Sequence, residues 1–201
     1  MLKILIITPL YPPDIAPLAV YVKELARRLS TEAKITILAY GTLPEKILNV
    51  HIVNISKNKP LPIRLFHFFQ ALVREARHAD YLYVQNGASV ELPMLVASFF
   101  VRTPIILHLG DSTALTSSKQ QWVLRTLTRI TTQKASNIIC SEKEDVSWLS
   151  QTQTIRRVVT PAVRPEIMPF RPYPTQEFAR YEQSWSSHTQ ALADLFQYEK
   201  K

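Results

Sequence analysis

Apolar and polar positions along this chain switch repeatedly between a strand-like run and a helical period. Residues 3–8 (Lys3-Ile4-Leu5-Ile6-Ile7-Thr8) form a short apolar run, followed by a proline-bearing loop at residues 9–18. Over residues 19–30, Ala19, Val20, Val22, Leu25, Ala26 and Leu29 share one helical stripe, while Lys23, Glu24, Arg27 and Arg28 fill the other face. Strand, loop and helix in that order open a doubly wound α/β sheet. Further apolar runs predict strands at 35–39, 50–55, 80–85, 104–109, 137–140 and 157–160. Helices are predicted at 63–78, 91–101 and 119–134, the last with Trp122, Val123, Leu127 and Ile130 inward. Another is predicted at 142–149, capped by Ser141 with Glu142, Glu144 and Asp145 in its first turn. Strands and helices alternating at this spacing predict one parallel sheet of about seven strands, helices on both faces and right-handed crossovers.

The texture changes after Pro161. Pro165, Pro169, Pro172 and Pro174 mark an extended segment over 161–174 that cannot hold a helix. A long amphipathic helix comes next over 175–199, with Phe178, Tyr181, Trp185, His188, Leu192 and Leu195 spaced 3, 4, 3, 4 and 3 residues apart. That pattern predicts a helix docked on its own domain or on a partner.

Composition narrows the class. The chain has 201 residues, 46% of them hydrophobic and 20% charged, an ordinary globular balance that predicts one domain. Only 3 glycines accompany 14 prolines, so few positions let backbone approach a phosphate closely. The net charge of +8 favours anionic partners. Cys140 is the single cysteine and reads as a small core residue, consistent with a reducing compartment. Residues 4–7 are too short for the apolar region of a signal peptide. The longest apolar stretch, 92–101, contains Pro93 and falls short of the roughly 20 residues a spanning helix needs. A cytoplasmic location is expected.

Several residues resemble those of a known family. Lys3-Ile4-Leu5-Ile6-Ile7-Thr8-Pro9-Leu10-Tyr11-Pro12-Pro13-Asp14-Ile15, then Tyr21-Val22 and Glu24-Leu25-Ala26, resemble the N-terminal half of family 4 glycosyltransferases of the GT-B fold. The likeness continues through Thr36-Ile37-Leu38, through Asp80 to Gln85, through Pro104 to Asp111, and through Ile138 to Glu142. It then covers Val158-Val159-Thr160-Pro161-Ala162-Val163-Arg164-Pro165-Glu166-Ile167-Met168-Pro169-Phe170-Arg171-Pro172, a degenerate form of the family's Pro-Asn-Gly-Val-Asp segment. The resemblance implies a Rossmann-like, acceptor-side domain over residues 1–160, a linker over 161–174, and a crossing helix over 175–199. The family's second domain binds the nucleotide-sugar donor and carries a Glu-x7-Glu pair; no counterpart is present here. Glu24 and Glu32 share that spacing by coincidence, since they lie on and after the first helix. The implied activity is retaining sugar transfer from a nucleotide sugar to a polar or lipid-linked acceptor, with the donor half supplied by a separate subunit or a homodimer partner. The alternative is a non-catalytic degenerate or minimised half serving as a binding module.

The resemblance also implies site residues. His108 matches a family histidine beside the donor sugar and is the candidate catalytic residue; sheet-end histidines also serve structure. Tyr11, Asp14 and Ala16 in the first loop, Asn86, Gly87 and Ser89 after the fourth strand, and Gly110 and Asp111 after the fifth are the candidate substrate-binding residues. Asn86-Gly87 is equally a generic turn, Ser89 a generic cap, and Asp111 a cap for the next segment. Where the family has a Gly-Gly pair facing the diphosphate, this chain has Ala16-Pro17, and Pro17 has no N–H to offer an anion. Tyr21 stands near the same loop.

Lys57, Lys59, Arg64, Arg74, Lys119, Arg125, Arg129 and Lys134, with Phe66, Phe68 and Phe69, are expected either to form a basic, aromatic-edged patch for an anionic membrane surface at the inner face or to be a solvated basic face over ordinary core. His51, His67, His78 and His188 lack metal-ligand spacing, and neither a Gly-x-Gly-x-x-Gly nor a Walker sequence occurs, so no metal and no cofactor are expected. No nucleic-acid partner is expected either, because the chain lacks the basic-aromatic interleaving of a nucleic-acid reader.

Overall fold

The computed structural model describes residues 1–41, 43–140, 158–159, 165, 167 and 176–198. The predicted helix at 142–149 with its Ser141 cap, and nearly all of the proline-rich segment at 161–174, lie outside the described residues.

The chain folds as β1 (Leu2–Thr8), α1 (Pro17–Leu29), β2 (Ala33–Tyr40), β3 (Val50–Ile55), α2 (Leu61–Ala76), β4 (Tyr81–Gln85), α3 (Ala88–Ala97), β5 (Ile105–Leu109), α4 (Ser112–Gln120), α5 (Trp122–Lys134), β6 (Asn137–Cys140), β7 (Val158–Val159) and α6 (Gln176–Tyr198). One sheet takes all the strands in the order β3-β2-β1-β4-β5-β6-β7. Every neighbouring pair is parallel, with Ile6 opposite both Ile37 and Tyr83, and Gln85 opposite His108. Six strands carry the sheet; the seventh is a two-residue edge.

Both faces are covered, as a parallel sheet requires. On the first, Ile4, Ile6, Ile35, Ile37, Tyr83, Ile106 and Ile139 meet α1 through Tyr21, Val22 and Leu25, and meet α6 through Tyr181, Trp185, Leu192, Leu195 and Phe196. On the second, Leu5, Ile7, Leu38, Val84 and Leu107 meet α2 and α3 through Phe68, Leu72, Val90 and Met94. The 3-4 spacing read from the last helix is therefore the stripe that packs on this domain. An ionic cluster fastens the same contact: Glu24 accepts from Arg27 and Arg28, and Arg28 reaches across to Glu182 on α6 at 2.8 Å. Burial alone would raise the Glu24 carboxyl, but the hydrogen bonds from the two arginines outweigh it and hold the group below its usual range.

Helix starts differ from the sequence expectation for local reasons. Helix α1 begins at Pro17 rather than 19, because a proline at the first helical position sacrifices only an N–H that would be orphaned anyway. Helix α3 begins at Ala88 rather than 91 and tolerates Pro93 in its interior. Pro93 cannot donate to the carbonyl of Ser89, four residues back; the Tyr40 hydroxyl donates there instead, at 2.9 Å. The helix expected at 119–134 is two helices broken at the extended Gln121. The inward face expected for the second is largely turned: Trp122, Val123 and Ile130 are exposed, Leu127 is half-buried, and Thr128, Thr131 and Thr132 are buried. The reason is a polar seam under α5. Thr128 donates to the buried Glu91 carboxylate at 3.1 Å and lies 3.0 Å from the Ser118 hydroxyl, so this face must carry hydroxyls. Helix α3 leaves Leu92 and Val96 exposed. Among the described residues no helix is long and apolar enough to cross a membrane.

Two outcomes test this packing. Trp185→Ala should cost about 3–5 kcal/mol in urea unfolding, while Trp122→Ala should stay within about 0.5 kcal/mol. Tyr40→Phe should cost about 1–3 kcal/mol because the Ser89 carbonyl loses its donor, and Tyr40→Phe combined with Pro93→Ala should recover most of it.

Candidate functional site

The sheet order reverses direction between β1 and β4. The connection after β1 leads to α1 on the first face, and the connection after β4 leads to α3 on the second, which opens a crevice above the carboxyl ends of the strands. The loops after β1, β4 and β5 bring most of the sequence-predicted residues to this edge. Gly87 sits at φ +147°, and a Cβ there would stand 3.3 Å from Pro9 Cγ, so the two loops touch where only glycine fits.

Most of the predicted side chains are committed to holding these loops. Tyr11 turns into the core and its hydroxyl donates to the Glu45 carbonyl at 3.0 Å. Asp14 is half-buried and pairs with Lys57 at 2.5 Å. Ala16 is the N-cap of α1 and supplies no side-chain cap, with Pro17 next to it. Asn86 clasps the neighbouring loop: its amide donates to the Asp111 carbonyl at 2.9 Å and its side-chain oxygen accepts the Asp111 N–H at 2.8 Å. Asp111 in turn caps α4, accepting from the N–H groups of Thr113 and Ala114. Ser89 contributes its carbonyl to Tyr40. Beside Gly87, a recess of about 200 Å³ is lined by Glu91, Ser117, Ser118 and Thr128, among others. Burial pushes the Glu91 carboxyl up, although the Gly87 N–H and Thr128 both donate to it.

His108 lies at the end of β5, deeply buried, on the face covered by α1 and α6. Its ring stands 5.1 Å from Tyr21 and 5.8 Å from Tyr83, centroid to centroid. The Tyr21 hydroxyl is 2.8 Å from the Tyr83 hydroxyl and 2.8 Å from His188 Nε2 on α6. A Cβ at Gly110 would lie 2.6 Å from His108 Cε1, so Gly110 is what lets the ring fit under its own chain. Burial, and secondarily the nearby His188, lowers the His108 pKa to about 3. The imidazole is therefore neutral at ordinary pH. Burial also pushes the Tyr21 and Tyr83 phenols up.

Gln85 is the residue that sequence reasoning missed. It ends β4 in register with His108, is fully buried, and neither its amide nitrogen nor its oxygen has a hydrogen-bond partner among the described residues; the same holds for His108 Nδ1. The signal was present in the strand's period of two, which sets Tyr81, Tyr83 and Gln85 on one face and leaves a carboxamide at a carboxyl strand end. His188 carried no local signal, because its meeting with Tyr21 spans 167 residues. Glu24 belongs to the arginine cluster, and Glu32 is an exposed residue beyond α1. Among the described residues no group of three or more His, Cys, Asp and Glu side chains could hold a metal ion.

The His108 environment makes stability pH-dependent in a defined direction. Unfolded, the imidazole takes up a proton near pH 6.5; folded, it resists protonation down to about pH 3. Between those values the unfolded chain binds the extra proton. The contribution is thus complete above pH 6.5 and is lost as pH falls toward 3, by up to about 1.4 kcal/mol per pH unit. Urea midpoints measured from pH 4 to 7 should fall more steeply with acid for the native chain than for His108→Leu; parallel curves would refute the assignment.

No protein-family model matches this sequence, and no curated protein sequence matches it. Solved structures do. The chain is similar to Anabaena Alr3699/HepE in complex with UDP and glucose, at a TM-score of 0.60 and 19% identity over 80% of this chain and 44% of that one. It is similar to the UDP-GlcNAc 2-epimerase of Neisseria meningitidis bound to UDP-GlcNAc, at a TM-score of 0.54 and 14% identity over 80% of this chain and 46% of that one. Arabidopsis thaliana UGT89C1 complexed with UDP matches at a TM-score of 0.51 and 14% identity, covering 88% of this chain and 53% of that one. The chain spans about half the length of these structures. What they share with it is the fold, a GT-B-like, Rossmann-like α/β unit.

Proposed function

We propose that this chain is the acceptor-side half of a family 4, GT-B-type sugar-transfer site, one that needs a nucleotide-binding domain across the crevice to act. The observation that carries the reading is the pair Gln85 and His108. They are register neighbours at the carboxyl ends of two central strands, and together they hold three buried polar atoms without partners among the described residues. Sugar hydroxyls, each both donor and acceptor, match a carboxamide and a neutral imidazole. Buried polar atoms left unmatched are costly, so their placement at the ligand edge of this fold supports a binding role. The fold it shares with proteins solved in complex with UDP or UDP-sugars supports the same reading, and the net charge of +8 favours an anionic ligand. Within such a site His108 and Gln85 hold and orient the sugar, while the Asn86–Asp111 clasp keeps the two loops in place. Positioning and stabilisation of the leaving diphosphate would supply the rate.

A second reading, a binding module without transferase activity, has its own support. Pro17 offers no N–H where a diphosphate would approach, and Tyr11 and Asp14 are already engaged with Glu45 and Lys57. One titration addresses both. The imidazole signals of His108 and the side-chain amide of Gln85 should shift when UDP-glucose or UDP-GlcNAc is added, with affinity on the order of millimolar. Sugar transfer should be absent for the chain alone and appear only with a donor-binding domain. Unmoved signals with every nucleotide sugar would overturn the site. Shifts without transfer in the presence of the donor-binding domain would select the binding module.

A further inference from the structure

On one side the sheet ends in β3, which pairs with β2 along one flank only. Two contacts fix the direction of its backbone groups. The Ile55 carbonyl accepts the Gly41 N–H, just past β2, at 3.0 Å, so Ile55 faces β2. The Val50 N–H, of opposite parity, donates instead to the Ile47 carbonyl of its own loop at 3.3 Å. In an extended strand the N–H and C=O of one residue point the same way, and successive residues alternate. Ile52 and Asn54 therefore turn both backbone groups to the open flank, where no hydrogen-bonding group among the described residues meets them. Native edge strands are blunted by lysine, proline, inward charge or a very short length. The opposite edge, β7, is two residues long, but β3 runs for 6 residues, Val-His-Ile-Val-Asn-Ile, with no lysine, proline or acid.

Beside this open flank, α2 overhangs the sheet and encloses a groove of about 650 Å³. Helix α2 turns Phe68 into the core, but Phe69 and Val73 on α2, with Val53 and Ile55 on β3, stay half-buried along the groove because the sheet stops beneath them. The charges around this apolar floor have one sign. His67, Arg74, Arg77 and His78 border it, and among the described residues no carboxylate lines it. Arg77 is exposed and forms no ion pair with a described carboxylate; Arg74 is exposed and pairs only with its chain neighbour Glu75. Of the other bases expected in this part of the sequence, Lys57 is engaged with Asp14.

We infer that the free flank of β3 receives an extended, acidic segment of a partner protein, added to the sheet as a further strand. The backbone groups of Ile52 and Asn54 supply the ladder, as in other cases of strand addition at a sheet edge. Alternate side chains of the incoming segment enter the groove, where apolar stems complete the cover over Phe69 and Val73 and carboxylates meet Arg74 and Arg77. Charge decides the occupant. A second copy of this chain would bring its own arginines and a net charge of +8 to the same edge, whereas an acidic strand is complementary to it. The inference is independent of the sugar-transfer reading, because it uses none of the residues at the crevice.

Fluorescence anisotropy of the full chain with labelled peptides tests it. A peptide of about eight residues alternating valine and glutamate, long enough to span β3, should bind with an affinity on the order of tens of micromolar, and added salt should weaken it. The matching valine–lysine peptide should bind roughly tenfold more weakly or not at all. A valine–glutamate peptide N-methylated at alternate backbone nitrogens, in either of the two phases, should lose affinity in the phase that removes the ladder donors. Arg74→Gln with Arg77→Gln should weaken binding roughly fivefold, as two exposed ion pairs allow, with the urea midpoint unchanged. Hydrogen exchange read by NMR should show the Ile52 and Asn54 amides becoming protected when the acidic peptide is present. Equal binding of the acidic and basic peptides would overturn the proposal, as would absence of binding, or binding that leaves the Ile52 and Asn54 amides unprotected. So would sedimentation showing a dimer in which those two amides are already protected without peptide; a second copy would then own the edge.

Discussion

A fully parallel sheet cannot leave a face to water, because its strands are apolar on both sides. Here that constraint reaches to the end of the chain. Helix α1 covers only part of the first face; Tyr83, Ile106 and Ile139 are closed over with the help of Trp185 and its neighbours on α6. The Tyr21 hydroxyl ties the layers together, bonded at once to Tyr83 of the sheet and His188 of the covering helix. Around it, Arg28 bridges Glu24 and Glu182 and lies over the rings of Tyr181 and Trp185. Polar and apolar contacts therefore fix the same register between α6 and α1, and His108 owes its dry surroundings to that closure.

The second face obeys the constraint differently. Apolar packing from α2 and α3 covers the strands, but the junction of α3, α4 and α5 is built around a buried carboxylate. Glu91 must be met by N–H and hydroxyl donors, so Gly87, Thr128 and Ser118 surround it directly or through one another. Once threonines occupy the inner side of α5, Leu124 and Leu127 are half-buried beside them and Trp122, Val123 and Ile130 are left outside. The exposure of Trp122 thus follows from how a polar group was satisfied on the other side of its helix.

At the crevice, chemistry and scaffolding compete for the same residues. Asn86 and Asp111 look like ligand groups by type and position, yet each is used to pin one loop to the next. Among the described residues, Gln85 and His108 are left uncommitted there, buried side by side and short of partners. Local rules broken without visible compensation concentrate at functional sites. That is why this pair, and not the more numerous loop residues, carries the functional reading.

The period-two and 3.6-residue patterns were enough by themselves to determine the alternation of strands and helices, the parallel sheet, and the stripe by which the last helix packs, since each depends on which side of one element is apolar. Cys140 in the core came out in the same way. Three things were decided only by the tertiary structure. The facing of α5 was turned away from Trp122, Val123 and Ile130 because the buried Glu91 imposed a demand that lies outside the helix's own sequence. The N-terminus of α3 and the tolerance of Pro93 rested on Tyr40, which reaches Ser89 across 49 residues. The site was recast because hydrogen bonds between loops, such as Asn86 with Asp111, and contacts between distant segments, such as Tyr21 with His188, settle which polar side chains are already satisfied. Periodicity records which face of an element is dry; it carries no information about which polar group meets which, and that pairing sets the chemistry left over.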